Sequence, residues 1–172
     1  ETAALGRRAQ DLGERLCGPG RCLVMGDLWP PSVLVSGKGL RLIDWEMSHF
    51  GQPVQDVAHL AAHLWMHNLP DASRNFLAAW CFETGGLSRE EVADCGVHFG
   101  SEILVRAIGP FAGRGAYRGL AVDHPRVRAA IDVACEALSG RASDWFAPGV
   151  WDSSAASTTA QTQGHYRHRP PQ

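Results

Sequence analysis

Long hydrophobic runs are missing from this sequence: no stretch approaches the ~18 consecutive apolar residues that a membrane span needs. No secretory signal is expected from these residues, and none of the five cysteines, Cys17, Cys22, Cys81, Cys95 and Cys135, forms a C-x-x-C pair. An odd number of cysteines without a signal reads as reduced thiols, not as a disulfide framework. Charge of one sign is also scarce. The 16 Lys and Arg against 18 Asp and Glu leave a net charge of −2, which gives no basis for nucleic acid or an anionic membrane as a partner. No internal repeat is present. A soluble, cytoplasmic protein is expected, and 172 residues with 45% apolar content suit one domain with a core of its own.

The informative stretch runs from residue 22 to residue 60. Three short apolar runs, Cys22 to Met25, Val33 to Val35 and Leu40 to Ile43, have the length of buried strands, and each is followed by a turn or a carboxylate. Between the second and third, Ser36-Gly37-Lys38-Gly39 carries the glycines of a tight hairpin turn. That hairpin brings Asp44 and Glu46 near the loop that contains Asp27 and Ser32. Alternation along a strand sets Asp44 and Glu46 on one side and Trp45 on the other, so the two carboxylates converge on one hard, oxygen-bound cation, magnesium first.

Helical spacing dominates elsewhere. Leu5, Ala9, Leu12 and Leu16 predict an amphipathic helix over residues 1–16, ended by Gly18-Pro19-Gly20. Pro53 starts a helix through Val57, Leu60 and Leu64 that stops near Asn68 or Pro70. Asp71 or Ser73 is expected to cap the next, and Ser88-Arg89-Glu90-Glu91 reads as a capping box opening a long helix to Ile108. Gly113 to Gly119 is a glycine and arginine loop, and residues 125–138 form a last helix. From Asp152 large aliphatic residues almost vanish, so residues 151–172 are expected to be a disordered tail.

Met25-Gly26-Asp27-Leu28-Trp29-Pro30-Pro31-Ser32 resembles the His-Gly-Asp-x-x-x-x-Asn loop of the aminoglycoside phosphotransferase and choline kinase superfamily, small-molecule relatives of protein kinases. Ile43-Asp44-Trp45-Glu46 resembles the motif that takes the place of Asp-Phe-Gly there, and Pro53-Val54-Gln55-Asp56-Val57-Ala58 the helix start that follows it. Within the superfamily the sequence is most similar to methylthioribose kinases, which share the terminal Ser, the Asp-x-Glu motif and an aromatic-Gly pair like Phe50-Gly51. The resemblance covers about residues 15 to 112, and three motifs in the right order carry it.

That resemblance implies an α+β, mainly helical fold: the C-terminal lobe of a protein-kinase-like protein over residues 1–150, with a small hairpin bearing the catalytic and metal motifs. A kinase's first lobe supplies a loop over the phosphates and a strand lysine. The only early lysine here is Lys38 in the hairpin turn, so the N-terminal lobe is expected to be absent. The implied function is ATP-dependent transfer of the γ-phosphate to a hydroxyl of a small acceptor, methylthioribose-like first, with an aminoglycoside or amino alcohol behind it. ATP and Mg2+ are the implied cofactors, and nucleotide and small acceptor the partners. A second reading is a truncated or pseudokinase lobe that acts as a non-catalytic binding module.

The resemblance assigns roles residue by residue. Asp27 takes the catalytic position; an isolated Gly-Asp pair would be an ordinary turn. Asp44 and Glu46 are the metal and nucleotide-phosphate ligands, the alternative being solvated charges on an edge strand. Ser32 stands where the family has a metal-binding Asn, and its hydroxyl means a weaker site, a site shifted onto Glu46, or no second metal. Asp56 braces the catalytic loop, Met25 replaces the family's usual His, and Trp29 narrows the pocket. Arg106 is a substrate-binding candidate or a salt-bridged surface arginine. His59, His63 and His67 lie four apart on one helix. Zinc would want a further acidic or sulfur ligand there, so core-edge histidines are the preferred reading.

Overall fold

A computed structural model describes residues 2–140; the expected tail over residues 151–172 lies outside the described residues. Five helices and four short strands follow one another as α1 (Thr2–Leu16), β1 (Cys22–Val24), β2 (Val33–Ser36), β3 (Gly39–Leu42), β4 (His49–Gly51), α2 (Val54–Met66), α3 (Pro70–Thr84), α4 (Arg89–Ala107) and α5 (Pro125–Ser139). The described residues are mainly helical with small antiparallel sheets, which is compatible with an α+β kinase-like fragment.

The core lies between α2, α3, α4 and α5. Val57, Ala61 and Met66 of α2 meet Leu77 and Cys81 of α3, Phe99 and Ile103 of α4, and Val127, Ala130 and Ala134 of α5. These positions recur at helical spacing, so each helix turns one apolar stripe inward. Helices α4 and α5 approach closely at Gly100, where a Cβ would stand 2.7 Å from the Ala134 carbonyl oxygen. Helix α1 covers a second patch through Leu12, which packs with Val97 and Leu138.

Local signals set most helix ends. The Ser88 hydroxyl accepts from the Glu91 N–H and the Glu91 carboxylate from the Ser88 N–H, forming the expected capping box of α4. The start of α3 differs from expectation: Leu69 is the N-cap, and neither Asp71 nor Ser73 caps. Pro70 supplies the helical first turn, while Ser73 is fully buried and donates its hydroxyl to the Ala61 carbonyl at 2.9 Å, tying α3 to α2.

The strands form two separate ribbons. β2 and β3 make the expected hairpin, with Val33 opposite Leu42 and Ser36 opposite Gly39. β1 pairs instead with β4, Cys22 opposite Gly51 and Val24 opposite His49. The apolar runs of the hairpin are not buried, contrary to the expectation for them. Leu34, Val35, Leu40, Ile43, Trp45 and Phe50 all stand exposed, because among the described residues no element covers that face. All five cysteines are free. No helix among the described residues is long and apolar enough to cross a membrane.

Candidate active site

The loop after β1 is held from both sides. Gly26 turns it with φ +80, a conformation that favours glycine, and a Cβ there would meet the Met47 carbonyl oxygen at 2.7 Å. From the first turn of α2 the Asp56 carboxylate accepts two backbone N–H groups, Met25 at 2.6 Å and Gly26 at 2.9 Å. Charge-assisted bonds of this kind fix a loop more firmly than neutral ones. Asp27 follows immediately, with 44% of its side chain exposed, so it is anchored through its backbone and open at its carboxylate.

Past Asp27, Pro30 and Pro31 form a single 3-10 turn that ends at Ser32. The Ser32 side chain is buried, and its hydroxyl donates to the Asp27 carbonyl over 3.5 Å. The Ser32 carbonyl in turn accepts from the Ile43 N–H at 3.0 Å, which pins the loop to the end of the hairpin. Ser32 is thus buried and bonded within the loop.

Asp44 and Glu46 come together by a route other than strand alternation. β3 ends at Leu42, and Asp44 adopts φ +75, in the left-handed region that Asp tolerates better than most residues. This bends the chain so that the two carboxylates approach. The Glu46 carboxyl is raised above its ordinary range, first by its hydrogen bond to Asp44, then by the Asp44 charge, with a smaller contribution from Asp27. The pair is solvent-exposed. Two neighbouring carboxylates are hard oxygen donors, and a divalent ion shared between them would relieve their repulsion. The donor set of Asp44 and Glu46 therefore fits magnesium.

On its other side Asp27 faces the helices. His59 Nε2 lies 3.1 Å from Asp27 Oδ1; the contact is close enough for an ion pair yet not aligned as a hydrogen bond, and that ring nitrogen has no hydrogen-bond partner. Behind it Glu102 accepts from Arg106 Nε at 2.6 Å and contacts His63 Nε2 at 3.1 Å. Burial pushes the Glu102 carboxyl up, but His63, His59 and Arg106 outweigh it and hold it at about 2. Burial lowers His59, against the raising influence of Glu102 and Asp27.

Arg106 also lies over the Phe111 ring, 5.0 Å from its centroid, and Trp29 meets His63 edge-on at 5.8 Å. These residues, with His67 and Arg114, line a cavity of about 290 Å3 next to the Asp27 loop. A larger cavity of about 580 Å3 is lined by Leu23, Leu28, Phe76 and Trp80 with Cys22, Asp56 and Glu91. Neither cavity is lined by Asp27, Asp44 or Glu46.

Residues 2–92, which span α1, the Asp27 loop, the hairpin and the start of α4, match the sequence profile of the phosphotransferase enzyme family. The chain belongs to the phosphotransferase enzyme family. Proteins of that family generally use ATP and Mg2+. The chain is also similar to acyl-CoA dehydrogenase family member 11 of Rattus norvegicus, 40% identical over 57 residues, which is 31% of this chain and 7% of that protein. The protein of the same name in Mus musculus matches equally, at 40% over 57 residues. This phosphotransferase-family chain thus spans about 7% of the length of those relatives. No solved structure matches it significantly.

Within the family frame, two parts of the site were not singled out in the sequence. Glu102 and the Phe111-Arg114 segment reach the Asp27 neighbourhood from far along the chain. The spacing of Glu102 and Arg106, four apart on α4, was the one local signal for that pair.

Proposed function

We propose that this chain is the catalytic-loop lobe of an ATP-dependent small-molecule kinase that transfers the γ-phosphate to an acceptor hydroxyl. The observation that carries the reading is the Asp44 and Glu46 pair, in contact on the turn after β3, together with an open Asp27 on the loop after β1 whose charge reaches Glu46.

Asp27 accepts a hydrogen bond from the acceptor hydroxyl and takes its proton as the oxygen attacks. The Asp56 carboxylate and the Ser32 backbone keep that loop in register, so the alignment is set before substrate arrives. Asp44 and Glu46 would hold magnesium, which supplies neutralisation of phosphate charge when bound. The exposed apolar residues of the hairpin, Leu34, Val35, Leu40 and Ile43 among them, offer a surface for the nucleotide base and for the first lobe of a kinase-like fold.

On the acceptor side, the cavity lined by Trp29, His63, Arg106, Phe111 and Arg114 is of a size for one small sugar-like molecule. Two arginines in its wall disfavour a polycationic aminoglycoside, which supports a methylthioribose-like acceptor ahead of it. The buried hydroxyl of Ser32, at the position where the family has Asn, favours a second reading: a pseudokinase lobe that binds without turnover.

Magnesium-dependent phosphate transfer from ATP to a panel of small alcohols and sugars separates the two. The kinase reading expects turnover that Asp27→Asn lowers by roughly 10²–10⁴-fold. Turnover unaffected by Asp27→Asn, or nucleotide binding without any turnover, contradicts it.

A further inference from the structure

We propose that His59, His63 and Glu102 form a transition-metal site, of zinc type, buried between α2 and α4 behind Asp27. The site is separate from the Asp44 and Glu46 pair and does not depend on the phosphotransfer reading.

His59 and His63 lie one helical turn apart on α2, so both rings leave the same face. Glu102 arrives from α4, and one ligand atom from each of the three residues lies within 4.8 Å of the others. All three are withdrawn from water: His59 and His63 are 8% and 4% exposed, and the Glu102 side chain 11%. Two imidazoles and one carboxylate suit zinc and its neighbours far better than magnesium, which prefers oxygen alone. Three protein ligands leave a position open, as in zinc sites that bind water or substrate.

The His59 ring makes the argument sharper. Its Nε2 lies 3.1 Å from Asp27 Oδ1 and its Nδ1 3.8 Å from Glu102 Oε2. A neutral imidazole has one N–H, so one of these nitrogens must present a lone pair to a carboxylate unless a cation lies between them. A metal bound by Nδ1 leaves the Nε2 N–H on the side of Asp27, 3.1 Å away though not aligned as a hydrogen bond. A small turn of the ring would let it donate to that carboxylate, as ligating histidines commonly do.

Arg106 is the group that opposes a cation here. Its Nε occupies Glu102 Oε1 at 2.6 Å, which leaves Oε2 for the metal and lowers the affinity without blocking the site. His98 packs 6.0 Å from His59, centroid to centroid, and lies outside the ligand set. Metal bonds of about 2.0–2.2 Å place tetrahedral ligand atoms roughly 3.3 Å apart, so the widest separation has to close by about 1.5 Å.

The test is a titration of the chelator-stripped, full 172-residue chain with Co2+, read by visible ligand-field absorption, and with Zn2+ in equilibrium dialysis. One saturable site with low-coordinate cobalt bands is expected. Glu102→Gln and His63→Asn should weaken it at least tenfold, whereas His165→Ala with His168→Ala in the tail should leave it unchanged. Folding of each variant is checked by circular dichroism. X-ray absorption of the zinc-loaded wild type, which needs no variant, should show two imidazole ligands. Absence of saturable binding, a zinc shell without imidazole, or binding abolished by the tail substitutions overturns the assignment.

Discussion

The Asp56 carboxylate holds the Gly26 backbone N–H at 2.9 Å, and through it the position of Asp27. The other carboxylate oxygen takes the Met25 N–H, and the Met25 side chain is buried. Asp56→Ala strands two donors at once, which by the usual cost of unsatisfied buried groups should remove about 2–4 kcal/mol of stability. Asp56→Asn keeps one acceptor oxygen but turns an NH2 donor toward the other backbone N–H, so it strands one donor instead of two and should lose less than Asp56→Ala. Urea unfolding of the two variants checks the order; equal losses would contradict it.

Gly26 is the second support of the same loop. A side chain at φ +80, with the Met47 carbonyl 2.7 Å from the new Cβ, forces the backbone to move. Gly26→Ala should cost on the order of 1–3 kcal/mol and lower any phosphate transfer by more than the loss of folded protein explains. Activity per folded molecule, with folding measured by circular dichroism, separates the two effects.

The start of α4 makes stability depend on pH. Burial raises the Glu91 carboxyl, but its bonds with Ser88 and its ion pair with Arg21 outweigh that and hold it below the ordinary Glu value. A group lowered in the fold stabilises above its unfolded pKa, and that contribution is lost as pH falls through the ordinary Glu range toward the folded value. Ser88→Ala should cost about 1 kcal/mol at neutral pH. The gap between wild type and Glu91→Gln should shrink as the pH drops below about 4.5. Thermal melts of both variants over that window test the sign.

Thiol reactivity should divide by burial. Cys17 is exposed, while desolvation pushes Cys81 up to about 11 and Cys95 well above its ordinary range. The thiolate is the reactive form. A chromogenic disulfide reagent should label Cys17 quickly in the native chain and reach Cys81 and Cys95 only after denaturant is added, with mass spectrometry identifying the sites.

Features set by neighbours in sequence were legible. The Ser88 to Glu91 spacing marks the start of α4, and Ser36-Gly37-Lys38-Gly39 marks the hairpin, because caps and tight turns are local geometry. The start of α3 misled for a local reason too: Pro70 makes a capping side chain unnecessary, which frees Ser73 to bond α2. β4 is three residues long and exists only through its pairing with β1, so no periodicity announces it. Asp44 and Glu46 were read as converging by alternation, yet the left-handed Asp44 does the turning, and a single residue's φ leaves no pattern in composition. Glu102 answers the sequence's own requirement for an acidic partner to His59 and His63, but it stands 39 residues beyond His63, a distance only the helix packing closes.

In the kinase proposed here, Asp44 and Glu46 hold the divalent ion of a nucleotide on the Asp27 side of the hairpin. Free Mn2+, followed by its electron paramagnetic resonance signal as the chain is titrated in the presence of a non-hydrolysable ATP analogue, tests it directly. Asn tolerates the left-handed backbone at position 44, so Asp44→Asn removes the charge without straining the turn. The account predicts nucleotide-dependent uptake of Mn2+ by the wild type, at least tenfold weaker in Asp44→Asn and changed no more than a few-fold in Asp27→Asn. Nucleotide dependence distinguishes this uptake from metal bound at His59, His63 and Glu102. Equal uptake by wild type and Asp44→Asn, or uptake indifferent to nucleotide, would contradict it.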